Sequence, residues 1–373
     1  MKITSAAVYL IKWPFTLPVE HSLARNVATE NLIVKLDTAD GLSGYGEGVP
    51  RVYVTGETTS GSLDSLKSTF LPLVLNQEID PRNVLDFLAS NAPSRKIDRW
   101  PAAACAVEIA LMDLAGKILD QPLSTMLGGR LNDELTYSAV VTISKPAALE
   151  KVISLIQAVG TPEIKVKVGH DDDLGLVAMV RRAFGRDIDL RVDVNGAWAT
   201  EEAIEKIEIL QQFDISAVEQ PVAKNNFSGL AQVNQKVKTL ILADESLCTL
   251  DDAQALIKAR AVGGFNLRLS KCGGPARTLK ILELAREAGL VCQLGCQVGE
   301  LGILSAAGLH FAAAQPGLIH LEGCLTRFFL PRDIIEEDLT PGLGGAAAPL
   351  PGPGLGVSVL DSILAESFLF ALS

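Results

Sequence analysis

Ile164-Lys165-Val166-Lys167-Val168-Gly169 and Leu190-Arg191-Val192-Asp193-Val194-Asn195-Gly196 are short apolar runs that end in charge. Three more follow: Ala217-Val218-Glu219-Gln220-Pro221, Leu240-Ile241-Leu242-Ala243-Asp244-Glu245 and Phe265-Asn266-Leu267-Arg268-Leu269-Ser270-Lys271. Lys167, Asp193, Glu219, Asp244 and Arg268 recur at steps of 26, 26, 25 and 24 residues. A strand, a helix and two connections need about that length. Each charged residue therefore closes a strand, one βα unit after the last. Thr200-Glu201-Glu202 and Thr249-Leu250-Asp251-Asp252 offer a capping hydroxyl and an acidic first turn for helices in the gaps.

The alternation extends to both sides. Residues 136–142 read as a first strand and 146–159 as its helix; residues 290–295 read as a buried strand, 301–314 as an apolar helix and 318–323 as a last strand. Continuous apolar runs are what parallel strands buried on both faces require. Eight units in this region predict a (β/α)8-type barrel. An open doubly wound sheet fits less well, because no strand is followed by a glycine-rich dinucleotide loop. Residues 1–130 carry strand-like runs at 31–38 and 42–48 around Asp40-Gly41, then helical stretches at about 59–89 and 102–118, which is α+β order. Residues 131–335 form the barrel. Residues 336–373 turn rich in Gly and Pro and run back to the N-terminal domain, with 357–364 and 368–372 too apolar for a disordered tail.

Composition narrows the function classes. A chain of 373 residues that is 48% hydrophobic can bury a sizeable core. The net charge of −11 argues against nucleic acid or an anionic membrane as partner. It leaves small anionic substrates open, since a metal reverses the local field. Residues 1–20 lack a basic segment followed by a long apolar run, and no apolar stretch reaches about 18 residues, so a soluble, cytoplasmic protein is expected. The six cysteines are scattered without zinc spacing and read as buried thiols.

In such a barrel the C-terminal strand ends surround one pocket. Asp193, Glu219 and Asp244 would repel one another there unless a cation neutralised them. Three hard oxygen ligands without His or Cys favour Mg²⁺, or Mn²⁺, over Zn²⁺. Lys165 and Lys167 lie two apart and share a strand face. Mutual depression of their pKa values would make a lysine base. A metal that binds a substrate carboxylate and stabilises an enediolate gives the reaction class: proton abstraction α to a carboxylate. His21 and Arg25, in the segment 14–25, are candidates for binding that carboxylate. Cys296, Gln297 and Glu322, at the seventh and eighth strand ends, are candidates for lining the pocket.

Lys165-Val166-Lys167, Asp193-Val194-Asn195, Glu219-Gln220-Pro221 and Asp244-Glu245-Ser246 resemble the motifs of the enolase superfamily, specifically its muconate lactonizing enzyme subgroup. Segments 106–117, 127–130 and 352–357 resemble family segments outside the site, so the likeness covers nearly the whole chain. It implies an α+β capping domain over a modified TIM barrel, (β/α)7β. It implies Lys167 as base, with Lys165 and Arg268 as the other catalytic candidates, and the three carboxylates as Mg²⁺ ligands, in the superfamily's known pattern of a lysine base with Mg²⁺; Asn195, Glu245 and Lys271, in the same motifs, are candidates for binding substrate. It also implies that segments 14–25 and 49–58 close over a small carboxylate substrate, and that the protein is a homo-oligomer.

One position departs from the subgroup. Asn266-Leu267-Arg268-Leu269-Ser270-Lys271-Cys272-Gly273-Gly274 has arginine where a lysine normally stands on the sixth strand, and keeps the lysine before Gly-Gly. An arginine stays protonated and is a poor proton carrier. In a regular strand an offset of three turns Lys271 to the other face. These features favour a one-base cycloisomerase or dehydratase with Lys167 as acid/base. The alternatives are a dipeptide or amino-acid epimerase or racemase and, from another class, a non-catalytic carboxylate-binding relative.

Overall fold

Strand β1 (Ile3–His21) pairs antiparallel with β2 (Ala24–Thr38), and β3 (Ser43–Gly48) returns beside β2 after the turn at Gly41, φ 81°. The computed structural model describes residues 1–21, 24–142, 146–170 and 172–373; side chains at 17–26, 88–89 and 143–148 lie outside the description. Segment 14–25 is thus mostly strand and not a loop. Its register slips between Pro14 and Val19, and prolines, which cannot donate to a ladder, hide such a strand in the sequence. Gly44, Gly46 and Gly48 share one face of β3 and lie flush on the buried helix Pro101–Leu119. A Cβ on them would stand 2.3, 1.9 and 1.9 Å from the carbonyl oxygens of Ala110, Ala106 and Ala102. A strand period of two thus meets a helix period of four residues through glycine and alanine.

The helical stretch expected over 59–89 is broken. Thr59–Ser65, Leu66–Phe70 and Leu71–Val74 run on to Leu75, which is extended at ψ 134°, and helix resumes at the 3-10 turn Pro81–Asn83 and then Val84–Asn91. Bridges from Leu75 to Ile3 and from Glu78 to Lys2 hold the intervening chain against β1.

A short β4 (Leu135–Thr136) precedes eight parallel strands that lie side by side in chain order: β5 (Ala139–Val141), β6 (Glu163–Lys167), β7 (Asp189–Asp193), β8 (Ile215–Glu219), β9 (Leu240–Ala243), β10 (Gly264–Leu267), β11 (Val291–Leu294) and β12 (Leu318–Leu321). Among the described residues seven helices of nine residues or more join them: Pro146–Val159, Asp173–Phe184, Thr200–Leu210, Phe227–Lys236, Leu250–Lys258, Pro275–Glu287 and Gly302–Ala314. A bridge between Tyr137 and Leu321, with Ser138 N–H donating to Leu321 O at 2.8 Å, brings the first and last strands together. This is the modified TIM barrel, (β/α)7β. After it, β13 (Ala346–Ala347) pairs with β4, and β14 (Phe368–Leu372) pairs antiparallel with β1.

The expected cap at Thr249 forms: its hydroxyl accepts Asp252 N–H at 3.0 Å, and Asp252 accepts Thr249 N–H at 2.9 Å. At the other helix the cap falls one residue earlier. Glu202 accepts Ala199 N–H, and the Thr200 hydroxyl instead accepts from Asn226. All six cysteines are free, four of them buried. No helix among the described residues is long and apolar enough to cross a membrane.

Candidate active site

The strand ends deliver their charged side chains to one buried network. Lys167 Nζ donates to Asp193 Oδ2 and to Asn195 Oδ1, both at 2.8 Å. Two residues deeper, Lys165 Nζ donates to Glu322 Oε2 at 2.6 Å and lies 3.4 Å from Asp193 Oδ2 and 3.5 Å from Glu219 Oε2. Arg268 lies on Asp244 through Nη2, which is also 3.7 Å from Glu219 Oε1, and its Nη1 donates to Gln297 Oε1 at 3.4 Å. Asn195 Nδ2 donates to Glu245 Oε1 at 2.9 Å. Asp193, Glu219 and Asp244 have no exposed surface.

Two residues just past strand ends hold the left-handed backbone that non-glycine residues seldom adopt, Asn195 at φ 46° and Gln220 at φ 40°. Such strain concentrates where surroundings over-determine a site. The Gln220 amide supplies that constraint here. Its oxygen accepts the N–H of both Asp244 and Ser246 at 3.0 Å, and its nitrogen donates to Val222 O and Ser246 Oγ at 2.8 Å. The Asp244 loop is thereby tied to the neighbouring strand end.

Three sequence expectations are corrected. Lys271 does not continue the strand: β10 stops at Leu267, and Leu269–Cys272 is a helical turn. That turn brings Lys271 Nζ onto Asp244 Oδ1 at 2.8 Å, on the side that a regular strand denies it. Lys165 and Lys167 do not simply repel. Burial acts to lower the Lys165 pKa, but Glu219, Glu322 and Asp193 outweigh it and hold the ammonium above its ordinary range. Glu322 is not an unpaired carboxylate: it is shared between Lys165 and Arg191 Nη2, the latter at 2.7 Å. The side chains of His21 and Arg25 lie outside the described residues. Cys296 is half-buried and lines a small cavity with Gln297, Glu300 and Cys324, which meets the network where Gln297 accepts from Arg268.

Sequence reasoning missed the layer below the strand ends. Arg191 and Asn266 stand two residues before Asp193 and Arg268, on the same strand face. Asn266 Nδ2 and Gln293 Nε2 donate to Glu219 at 2.7 and 2.6 Å. The period-two rule applied to each motif would have found Arg191 and Asn266. Residues 49–54 do sit over the strand ends: Val49 N–H donates to Ser270 Oγ, Arg51 Nη2 to Val298 O, and Lys224 Nζ to Val54 O. A cavity of about 180 Å³ lies at the opposite, N-terminal end of the barrel, lined by Glu134, Glu163 and His320 among others, and touches none of the ion pairs except through its wall.

Five carboxyl groups, Asp193, Glu219, Asp244, Glu245 and Glu322, interlock with five cationic ones, Lys165, Lys167, Arg191, Arg268 and Lys271, and burial pushes Glu219 up to about 8 against the pull of Lys165. Burial pushes Glu245 up to about 7, with help from Asp244 and Asp193. Burial likewise acts to raise Asp193, but Lys167 and Lys165 hold it below the ordinary carboxylate range. Among the described residues no three His, Cys, Asp or Glu side chains converge as a formed metal centre. The donor set still fits a hard divalent cation. It offers only oxygen, Asp193 and Glu219 are register partners on adjacent strands, and the buried acceptors Glu245 Oε2, Asn266 Oδ1 and Gln293 Oε1 lack hydrogen-bond partners among the described residues.

Residues 147–363 match the family model described as enolase C-terminal domain-like, and residues 3–128 match mandelate racemase / muconate lactonizing enzyme, N-terminal domain. The chain belongs to the enolase superfamily, in its muconate lactonizing enzyme subgroup. It is 34% identical to a hydrophobic dipeptide epimerase of Enterococcus faecalis, over 91% of this chain and 89% of the relative. The crystal structure of N-succinyl Arg/Lys racemase from Bacillus cereus superposes with a TM-score of 0.89 at 30% identity, covering 100% of this chain and 99% of that one. The dipeptide epimerase of Enterococcus faecalis, complexed with Mg and the dipeptide L-Leu-L-Tyr, superposes with a TM-score of 0.86 at 31% identity, covering 96% and 100%. Muconate cycloisomerase 1 of Rhodococcus opacus is more distant, at 26% identity over 97% of this chain and 98% of the relative. The relatives therefore make this an isomerase, and they correct the weighting drawn from Arg268: epimerases and racemases fit better than a cycloisomerase or dehydratase.

Proposed function

We propose that this isomerase epimerises or racemises the α-carbon of an N-acylated amino acid or dipeptide, with Lys167 exchanging the α-proton on one face and Lys271, brought beside Asp244 by its helical turn, the candidate proton carrier for the opposite face. The likeness to a dipeptide epimerase and an N-succinyl amino acid racemase over nearly the whole chain carries the reading. A dipeptide's C-terminal residue is itself an N-acyl amino acid, so the two relatives share one substrate chemistry. Asp193, Glu219 and Asp244 are the residues that would hold Mg²⁺ or Mn²⁺, which supplies positive charge against the substrate carboxylate. A divalent cation added to carboxyls already engaged by lysines and arginines makes the network more positive, which suits an anionic substrate. Lys165 stays charged and pins Glu322 and Glu219, keeping the floor of the pocket rigid. Lys167, 8% exposed, is the less buried of the two lysines and is the one proposed to exchange a proton with substrate. Arg268 presents a fixed cation at the sixth strand end, where the subgroup normally has its second lysine. As in the subgroup, a homo-oligomer is expected.

The test is α-proton exchange in D₂O with Mg²⁺, on each enantiomer of N-succinyl amino acids and dipeptides. Epimerisation exchanges both enantiomers. Exchange of one enantiomer alone returns the one-base reading that Arg268 favours, and exchange of neither refutes the substrate class. General acid–base catalysis is worth about 10²–10⁴-fold, so Lys167→Ala is expected to lower exchange by at least that order. Turnover that survives Lys167→Ala removes Lys167 from the role.

A further inference from the structure

Resting on the assignment of Lys167, we propose that Glu245 is a positioning residue: it fixes the Asn195 amide so that its oxygen, and not its nitrogen, faces Lys167. Neither residue makes an ion pair in the network. What they make is a chain, Lys167 Nζ to Asn195 Oδ1 at 2.8 Å and Asn195 Nδ2 to Glu245 Oε1 at 2.9 Å. An amide presents an acceptor on one side and donors on the other. With its nitrogen held by a carboxylate, Asn195 must offer oxygen to the ammonium. A flipped amide would oppose donor to donor at Lys167 and acceptor to acceptor at Glu245, losing both bonds.

The chain is built to hold still. Asn195 and Glu245 are each 3% exposed. The left-handed backbone of Asn195 is tied by its own N–H to Asp193 Oδ1 at 3.1 Å, and Asn is among the few residues that tolerate that conformation. Glu245 arrives from the loop after β9, three strands away from the lysine it serves. Among the described residues its other oxygen, Oε2, has no hydrogen-bond partner, so its tie to Asn195 is the one side-chain bond it makes there. Asp193 alone leaves Lys167 free to pivot about one contact, and the amide supplies the second point that sets its direction.

The experiment uses the full chain with Mg²⁺ or Mn²⁺ and compares Glu245→Leu, Asn195→Leu, their double variant and Glu245→Gln. A misplacement of about 1 Å near the chemistry costs on the order of 100-fold, so Glu245→Leu should lower kcat by about that factor with KM held within about threefold. Glu245→Gln keeps an acceptor oxygen and should recover kcat to within about tenfold of the parent. Mn²⁺ affinity, read by electron paramagnetic resonance, should stay within about threefold in all variants, and the double variant should be no slower than Asn195→Leu, because residues acting as one unit are not additive. Crystals of Glu245→Leu should show the Asn195 amide turned and Lys167 Nζ displaced by more than about 0.5 Å. Parent-like kcat in Glu245→Leu, multiplying losses in the double variant, or an unmoved Lys167 each overturn the proposal. If the parent exchanges no α-proton from any N-acyl amino acid or dipeptide, the proposed substrate class fails by itself, and the crystal comparison still decides the positioning role.

Discussion

Replacing Glu47 by Ala should loosen the junction between the N-terminal sheet and the barrel. Glu47 ends β3 with no exposed surface and accepts Leu301 N–H at 2.7 Å, Leu304 N–H at 2.9 Å and Asn31 Nδ2 at 2.6 Å. It thus caps the helix Gly302–Ala314 across the junction. Asn31 Nδ2 keeps a second acceptor, Gly299 O at 2.8 Å, so Ala strands two backbone donors. At about 1–3 kcal/mol for each buried unsatisfied donor, the loss is about 2–6 kcal/mol, and Glu47→Gln, which keeps one acceptor oxygen, should lose roughly half of that. Equilibrium urea unfolding followed by circular dichroism measures both. Burial pushes the Glu47 pKa up to about 7 from 4.5, against the bonds from Leu301, Leu304 and Asn31. The folded state therefore holds the proton more tightly than the unfolded state. The contribution of this proton is fully present below pH 4.5 and is lost as pH rises through 7. Gln does not titrate, so the penalty of Glu47→Gln should shrink from pH 5 to pH 8. A Glu47→Ala loss below about 1 kcal/mol, or a Gln penalty that grows with pH, would refute the capping argument.

Glu322→Ala leaves Lys165 and Arg191 buried without their shared carboxylate and should cost about 3–5 kcal/mol by thermal unfolding; a loss under about 1 kcal/mol would mean that other groups neutralise them. Gly46→Ala puts a Cβ 1.9 Å from Ala106 O. Forced separation of β3 from its helix should cost about 1–3 kcal/mol, and an unchanged melting temperature would contradict the close packing. Chelation with EDTA should abolish α-proton exchange, with recovery on adding Mg²⁺, yet leave far-ultraviolet circular dichroism unchanged, because the buried carboxyls are already partnered by lysines, arginines and amides of the chain. Unfolding on chelation would contradict that internal pairing.

The sequence by itself determined the barrel and the residues at its rim. Regular spacing places a charge at the end of each strand from β6 to β10, and the chemistry of three carboxylates and a Lys-x-Lys pair depends only on residue type and strand period. It did not determine what happens one or two residues past a strand end. Lys271 reaches Asp244 because the chain turns helical at Leu269, and the Asn195 and Gln220 backbones are held left-handed by partners on other strands. Nor did it reveal that β1 and β2 continue through Pro14 and Pro18, since a long antiparallel partner sustains a strand that local propensity would end. The pairing of Glu322 with Lys165 and Arg191, and of Glu245 with Asn195, joins residues 50 to 157 positions apart. Only closure of the sheet brings such residues within hydrogen-bonding distance, so their roles were settled by tertiary structure: a side chain's chemistry is local to the sequence, but its partner is chosen in space.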